Sequence, residues 1–171
     1  MLQIEKLKQS GITQILKVNE GTRTSLIPSK YGINLKCIEM EDMPDYDISV
    51  KDEIEPCHAF IKQGLAKQPI EGTLVICTAG MSRSATVCIS YLMKHFDMTY
   101  QQAFEKVKQA RRFIKPNDGF VKFLQGYEKQ LEEEKKARSS EEPEIDGNTN
   151  PDCELCKLEK KTQWFERHSE C

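Results

Sequence analysis

Thr73-Leu-Val-Ile-Cys77-Thr-Ala-Gly80-Met-Ser-Arg83-Ser84, running straight on into Ala85 to Phe96, is the stretch on which the fold turns. It begins with a short continuous apolar run, the pattern of a strand buried on both faces in a parallel sheet. From Arg83 the sequence is apolar almost all round (Ala85, Val87, Cys88, Ile89, Tyr91, Leu92, Met93), which predicts a central helix packed on several sides. The five residues between Cys77 and Arg83 make a loop in which successive N–H groups converge with the helix N-terminus on one concavity of phosphate size. A thiol at its floor is stabilised as thiolate by the field that binds the anion. Arg83 adds a planar fork of donors that can follow phosphoryl charge as it develops, and Gly80 gives the loop its freedom of φ. Cys77 is thus the candidate nucleophile, Ser84 a donor to its sulfur, and Thr78, Ala79, Gly80, Met81, Ser82 and Arg83 the candidate substrate-binding loop.

The flanking sequence alternates strands and helices. Leu2 and Leu7 frame a helix closed by Gly11, and Ile12 to Val18 is rich in β-branched residues. Ile33 to Ile38 alternates with period two. Val50, Ile54, Cys57, Ile61 and Leu65 form one helical stripe in which Pro56 either kinks the axis near Glu55 or marks where the regular helix begins. Thr99-Tyr-Gln-Gln102 is a capping box, and Pro116-Asn-Asp-Gly119 opens a further helix carrying Phe120, Phe123, Leu124, Tyr127 and Leu131. The expectation is an α/β domain with a central, mainly parallel twisted sheet flanked by helices.

Cys-x5-Arg between strand and helix, and Ala79-Gly-Met-Ser-Arg-Ser-Ala85 in particular, resembles the loop of the cysteine-dependent dual-specificity protein phosphatases. The likeness runs from Leu7-Lys-Gln-Ser-Gly-Ile-Thr13 through Asp42-Met-Pro-Asp-Tyr-Asp-Ile48 to Ile114-Lys-Pro-Asn-Asp-Gly-Phe120. Ser82 and Ser84 around the arginine favour this branch over the phosphotyrosine-only enzymes. The resemblance implies hydrolysis of phosphotyrosine and phosphoserine/phosphothreonine through a cysteinyl phosphate, with no cofactor in the chemistry. It also implies a general acid on the loop before the helix that precedes the Cys77 strand, where Asp42 stands. Asp47 competes for that role, although its place before Ile48-Ser49 suits a helix N-cap. The chain departs from the family at Ile76, where a histidine is usual, so that the thiol is expected to titrate higher, and an exposed sheet edge is expected where the family's additional strand would precede the first helix.

Two other readings stand beside this one. Related Cys-x5-Arg proteins act on RNA 5′-triphosphate ends or phosphoinositides, but their loops carry extra basic residues, and Thr78, Ala79, Met81 and Ser82 are neutral. A weak or inactive relative would be a phosphopeptide-binding module. Cys37, Cys57 and Cys88 read as small buried hydrophobes, His58 and His95 as caps or surface groups, and Arg111 and Arg112 as a charged helix end.

The 171 residues allow one core, here placed at residues 1–135, with a charged linker over 136–150 and a Cys/His tail over 151–171. Residues 1–138 hold 21 Lys+Arg against 18 Asp+Glu and the remainder 4 against 9, so the body is +3 and the tail −5. That excess is too small to indicate nucleic acid. No stretch reaches the length of a membrane span and no export signal is apparent, which with seven cysteines, an odd number, suggests a reduced, cytoplasmic setting rather than a disulfide framework. In the tail, Cys153, Cys156, His168 and Cys171 have spacings suited to a tetrahedral structural zinc, with a thiol-bearing tail as the alternative. A phosphorylated protein is the expected partner, and the sequence is silent on oligomeric state.

Overall fold

The computed structural model describes residues 2–21, 31–46, 48, 52–66 and 72–141. Elements follow in the order α1 (Leu2–Gln9), β1 (Ile12–Asn19), β2 (Asn34–Glu39), α2 (Ile54–Leu65), β3 (Gly72–Ile76), α3 (Arg83–His95), α4 (Tyr100–Ala110) and α5 (Asp118–Glu141). Among the described residues the strands form one sheet in the order β2-β1-β3, both pairings parallel, as the expected α/β fold requires. β1 is central because its aliphatic residues, Leu16 and Val18 among them, are removed from solvent.

Parallel pairing brings all three strand ends to one edge. Asn19 pairs with Glu39, and Lys17 with Ile76, so Glu20, Met40 and Cys77 leave the sheet side by side. Ligand sites in open parallel sheets form outside such carboxyl ends. The helices complete two packed clusters, one joining Leu16, Met40, Cys57, Val87 and Phe120, the other Ile89, Met93, Ala103, Leu124 and Leu131. α3 contributes to both, which is why its sequence is apolar almost all round.

Pro56 lies in the first turn of α2, where its missing N–H has no intrahelical partner to lose, so the regular helix begins there. Ile54, Cys57, His58 and Ile61 share the i, i+3, i+4, i+7 face. His58 is therefore buried, with 2% of its surface exposed, and not the surface group its place beside the stripe suggested. The capping box is present, with Thr99 Oγ1 accepting from Gln102 N–H at 3.2 Å and Gln102 Oε1 from Thr99 N–H at 2.9 Å.

The chain divides into units of residues 1–132 and 133–171. α5 continues through Glu141, beyond the start of the expected linker, because Glu132 to Arg138 are strong helix formers that need no apolar face to remain helical. Glu134 and Arg138 pair one turn apart at 3.8 Å. Val50, Asp47 and the tail residues Cys153, Cys156, His168 and Cys171 lie outside the described residues.

Candidate active site

Ser82 is the N-cap residue of α3, yet its hydroxyl makes no capping bond to the helix. It donates instead to Asp42 Oδ1 at 2.6 Å. The first N–H groups of α3 are thereby left to face the loop, the arrangement that makes a helix N-terminus an anion site.

The Cys77 sulfur sits at the floor of this loop, 3.3 Å from the Ser84 hydroxyl and 3.2 Å from the Gly80 N–H that donates to it. Burial is the largest influence on its ionisation and acts to raise it. The Ser84 hydroxyl and the N–H groups of Ser84, Gly80 and Met81 together outweigh burial, so the thiol is held below the ordinary cysteine value. That lowering is reached with Ile76 beside it and is carried by loop donors, not by the neighbouring side chain.

Gly80 has φ of +64°, and a Cβ there would come within 3.0 Å of the Arg111 guanidinium. The close approach has a purpose: Arg111 Nε donates to the Gly80 carbonyl at 2.6 Å and Nη2 to that of Ala79 at 3.3 Å. The Lys115 N–H donates to the Met81 carbonyl at 2.9 Å. Three consecutive loop carbonyls are thus engaged from outside, leaving their N–H groups to turn inward. Arg111 is the C-cap residue of α4, the helix end its position suggested, and its side chain is in addition a brace for the loop.

Arg83 opens α3 and is 5% exposed. Nη1 donates to the Met40 carbonyl at 3.2 Å and faces Glu20 at 3.5 Å, while Nη2 donates to Thr78 Oγ1 at 3.0 Å. Nε faces Asp42 Oδ2 at 3.6 Å. Asp42 Oδ1 accepts a second bond, from Asn117 Nδ2 at 2.9 Å. Oδ1 thus accepts two hydrogen bonds, from Ser82 and Asn117, while Oδ2 faces the Arg83 guanidinium.

Asn117 ties three parts of the site together. Its side-chain oxygen caps α5 by accepting from Phe120 N–H at 2.9 Å, its amide holds Asp42, and its own N–H donates to Ser82 Oγ at 3.2 Å. The start of α5 also packs directly on the Asp42 loop, since a Cβ on Gly119 would collide with the Pro44 carbonyl. The structure therefore brings Cys77, Arg83, Ser84, Asp42 and residues 78–82 into one site and adds Asn117 and Arg111, which sequence reasoning assigned to helix ends. No group of three or more His, Cys, Asp or Glu suited to a metal occurs among the described residues, and none of their helices is long and apolar enough to cross a membrane.

Residues 1–130 match the dual specificity phosphatase catalytic domain. A probable dual specificity protein phosphatase from Dictyostelium discoideum is 33% identical over 129 residues, covering 73% of this chain and 56% of the relative. Dual specificity protein phosphatase 1B from Arabidopsis thaliana is 36% identical over 126 residues, covering 74% of this chain and 71% of the relative. A solved structure described as a mouse putative dual specificity phosphatase complexed with zinc tungstate superposes with a TM-score of 0.67 at 32% identity, covering 78% of this chain and 79% of that one. The chain spans little more than half the length of the Dictyostelium relative.

Proposed function

The chain belongs to the dual specificity phosphatase family, and on that premise we propose that it hydrolyses phosphotyrosine and phosphoserine/phosphothreonine in protein substrates through a phosphocysteine at Cys77. The observation that carries this is the Cys77 sulfur at the floor of the loop, with the Ser84 hydroxyl 3.3 Å away and the Gly80 N–H donating to it at 3.2 Å, contacts that favour the thiolate despite its burial. The thiolate attacks phosphorus, an S–P bond forms as the P–O bond to the leaving group breaks, and the proton on Asp42 passes to the departing oxygen. Arg83 and the inward N–H groups take up the equatorial charge. Asp42, now a carboxylate, removes a proton from water as that water attacks phosphorus. The S–P bond breaks, inorganic phosphate leaves, and the Ser84 hydroxyl donates to the returning thiolate. Tungstate in the mouse relative is a tetrahedral oxyanion of phosphate-like charge, which supports an anion site of this kind. A thiolate nucleophile also fits a reduced, cytoplasmic setting.

Release of phosphate from an aryl phosphate, compared between wild type and Cys77→Ser, tests the reading. Turnover in the first and none in the second is expected; equal background in both would favour a phosphopeptide-binding module instead. The tail is proposed to hold one structural zinc on Cys153, Cys156, His168 and Cys171, separate from catalysis. Elemental analysis of protein purified without chelator, with Cys153→Ser/Cys156→Ser as control, checks it: absence of zinc in wild type removes the site, and activity lost with the metal removes the separation.

A further inference from the structure

Beside the phosphate loop lies a groove of about 460 Å³ to which nothing in the mechanism above assigns a role. Its apolar surface includes Met81, Phe104 and Phe113, and Lys108, Arg112 and Lys115 supply its charge. Phe113 is 74% exposed and Met81 37%, two of the three exposed large hydrophobics among the described residues. Exposed apolar surface rimmed by charge marks a recognition site more often than a solvated face. No carboxylate lines the groove, and none of the three cations enters an ion pair among the described residues. Lys108 lies over the Phe104 ring at 5.3 Å, which holds its stem against the apolar wall.

The groove is continuous with the loop. Met81 belongs to both, and the Lys115 N–H bonds to the Met81 carbonyl, so the wall and the anion nest are joined by backbone. An extended peptide advances roughly 3.3–3.6 Å per residue, so the residues next to a phosphorylated side chain in the nest are those that meet the groove.

Resting on the phosphatase reading above, we propose that this groove is the subsite for the residues flanking the phosphorylated position of a protein substrate, taking one bulky apolar side chain with acidic groups beside it. Uncompensated cations around an apolar floor are complementary to such a segment. A nucleic-acid backbone would call for a track of cations with stacking rings, and here aliphatic and aromatic residues share the floor.

The test measures kcat/KM for phosphopeptides whose flanking residues are alanine, leucine or phenylalanine with glutamate, or leucine with arginine, each expressed relative to a small aryl phosphate. The apolar-acidic peptide is expected to lead by about tenfold, the scale of one filled apolar pocket. Phe113→Ser and Arg112→Glu should each erase most of that lead, with circular dichroism showing that both variants fold. A flat peptide series, or a lead that neither variant moves, overturns the proposal. So does preference for a 5′-phosphorylated RNA or a phosphoinositide vesicle that these two substitutions abolish. Should wild type turn over no substrate, the phosphatase reading fails by itself. The groove is then read by affinity of the same peptides for the Cys77→Ser chain, where equal affinities overturn it.

Discussion

Cys77 and Cys88 belong to the same strand-loop-helix unit, yet their thiols are driven in opposite directions. Burial pushes Cys88 up to about 12, with the nearby Cys77 charge adding to it, and pushes Cys57 up to about 12 as well. Burial acts on Cys77 in the same sense and is overcome, because only there do a hydroxyl and three N–H groups point at the sulfur. Depth in the fold therefore does not distinguish nucleophile from filler; the direction of neighbouring N–H groups does.

The contrast is broken most severely at its pole. Cys77→Ser should leave no turnover above background, whereas Cys88→Ala should keep most of it and cost about 1 kcal/mol or more in stability from the lost packing. Iodoacetamide at neutral pH should alkylate Cys77 well before Cys57 or Cys88, read by mass spectrometry of digested protein. Equal rates for Cys77 and Cys88 would show that the donors do not govern reactivity.

Next in size is the proton. Asp42→Asn should lower kcat by roughly 10²-fold or more on a serine phosphate and by much less on an aryl phosphate whose leaving group needs no proton. Asn117→Ala should show the same leaving-group dependence to a smaller degree, since it removes one of the two hydrogen bonds that hold Asp42 Oδ1 and leaves the one from Ser82. Leaving-group dependence in Asp47→Asn and none in Asp42→Asn would reassign the acid.

The sequence made the nest legible because all of it is local: strand, loop and helix are adjacent in the chain, and a continuous apolar run followed by a helical one can be read in a single window. Asn117 was read only as a helix opener because its second role, on Asp42, depends on a bond between residues 75 positions apart. Arg111 was read as a helix end for the same reason, since its partners Gly80 and Ala79 lie 31 and 32 positions away. Residue type misled at one place and the loss of an apolar pattern at another. His58 falls on the buried face of α2 although its type suggests the surface, and the charged run after Glu132 stays helical without an apolar stripe.

Arg111→Ala sharpens the contrast by loosening the donors without touching the thiol. With the Ala79 and Gly80 carbonyls released, the loop N–H groups lose their fixed direction. The Cys77 pKa should rise, and kcat/KM on the acid side of the profile should fall about tenfold, the scale of one hydrogen bond to a charged group. Arg111→Lys should recover little, because one ammonium cannot replace two bonds from a planar fork. A pH profile superimposable on wild type would remove the brace.

The smallest effect tests the opposite end of α3, where a hydroxyl serves a neutral group rather than a charge. Ser90 Oγ donates to the Val87 carbonyl at 3.0 Å, so its 2.9 Å contact with His58 is made by the Nε2–H of the ring, and Nδ1 is buried with no hydrogen-bond partner among the described residues. Burial, then the neighbouring His95, depress the His58 pKa to about 3, with Glu55 opposing and Lys94 assisting. The unfolded chain binds this proton below its ordinary value of about 6.5 and the folded chain does not, so folding stability rises with pH between about 3 and 6.5 and is flat above. The stability lost at pH 6 relative to pH 8 should be about 0.8 kcal/mol from His58, steepening to about 1.4 kcal/mol per pH unit at lower pH. Urea unfolding of wild type and His58→Gln across pH 5 to 8 reads it. Wild type should weaken on acidification while the variant stays closer to level, with the share that remains coming from His95, whose pKa burial also lowers. Identical slopes would mean that His58 takes up its proton without opening the fold. Ser90 would then hold a charge, as Ser84 does at the other end of the same helix.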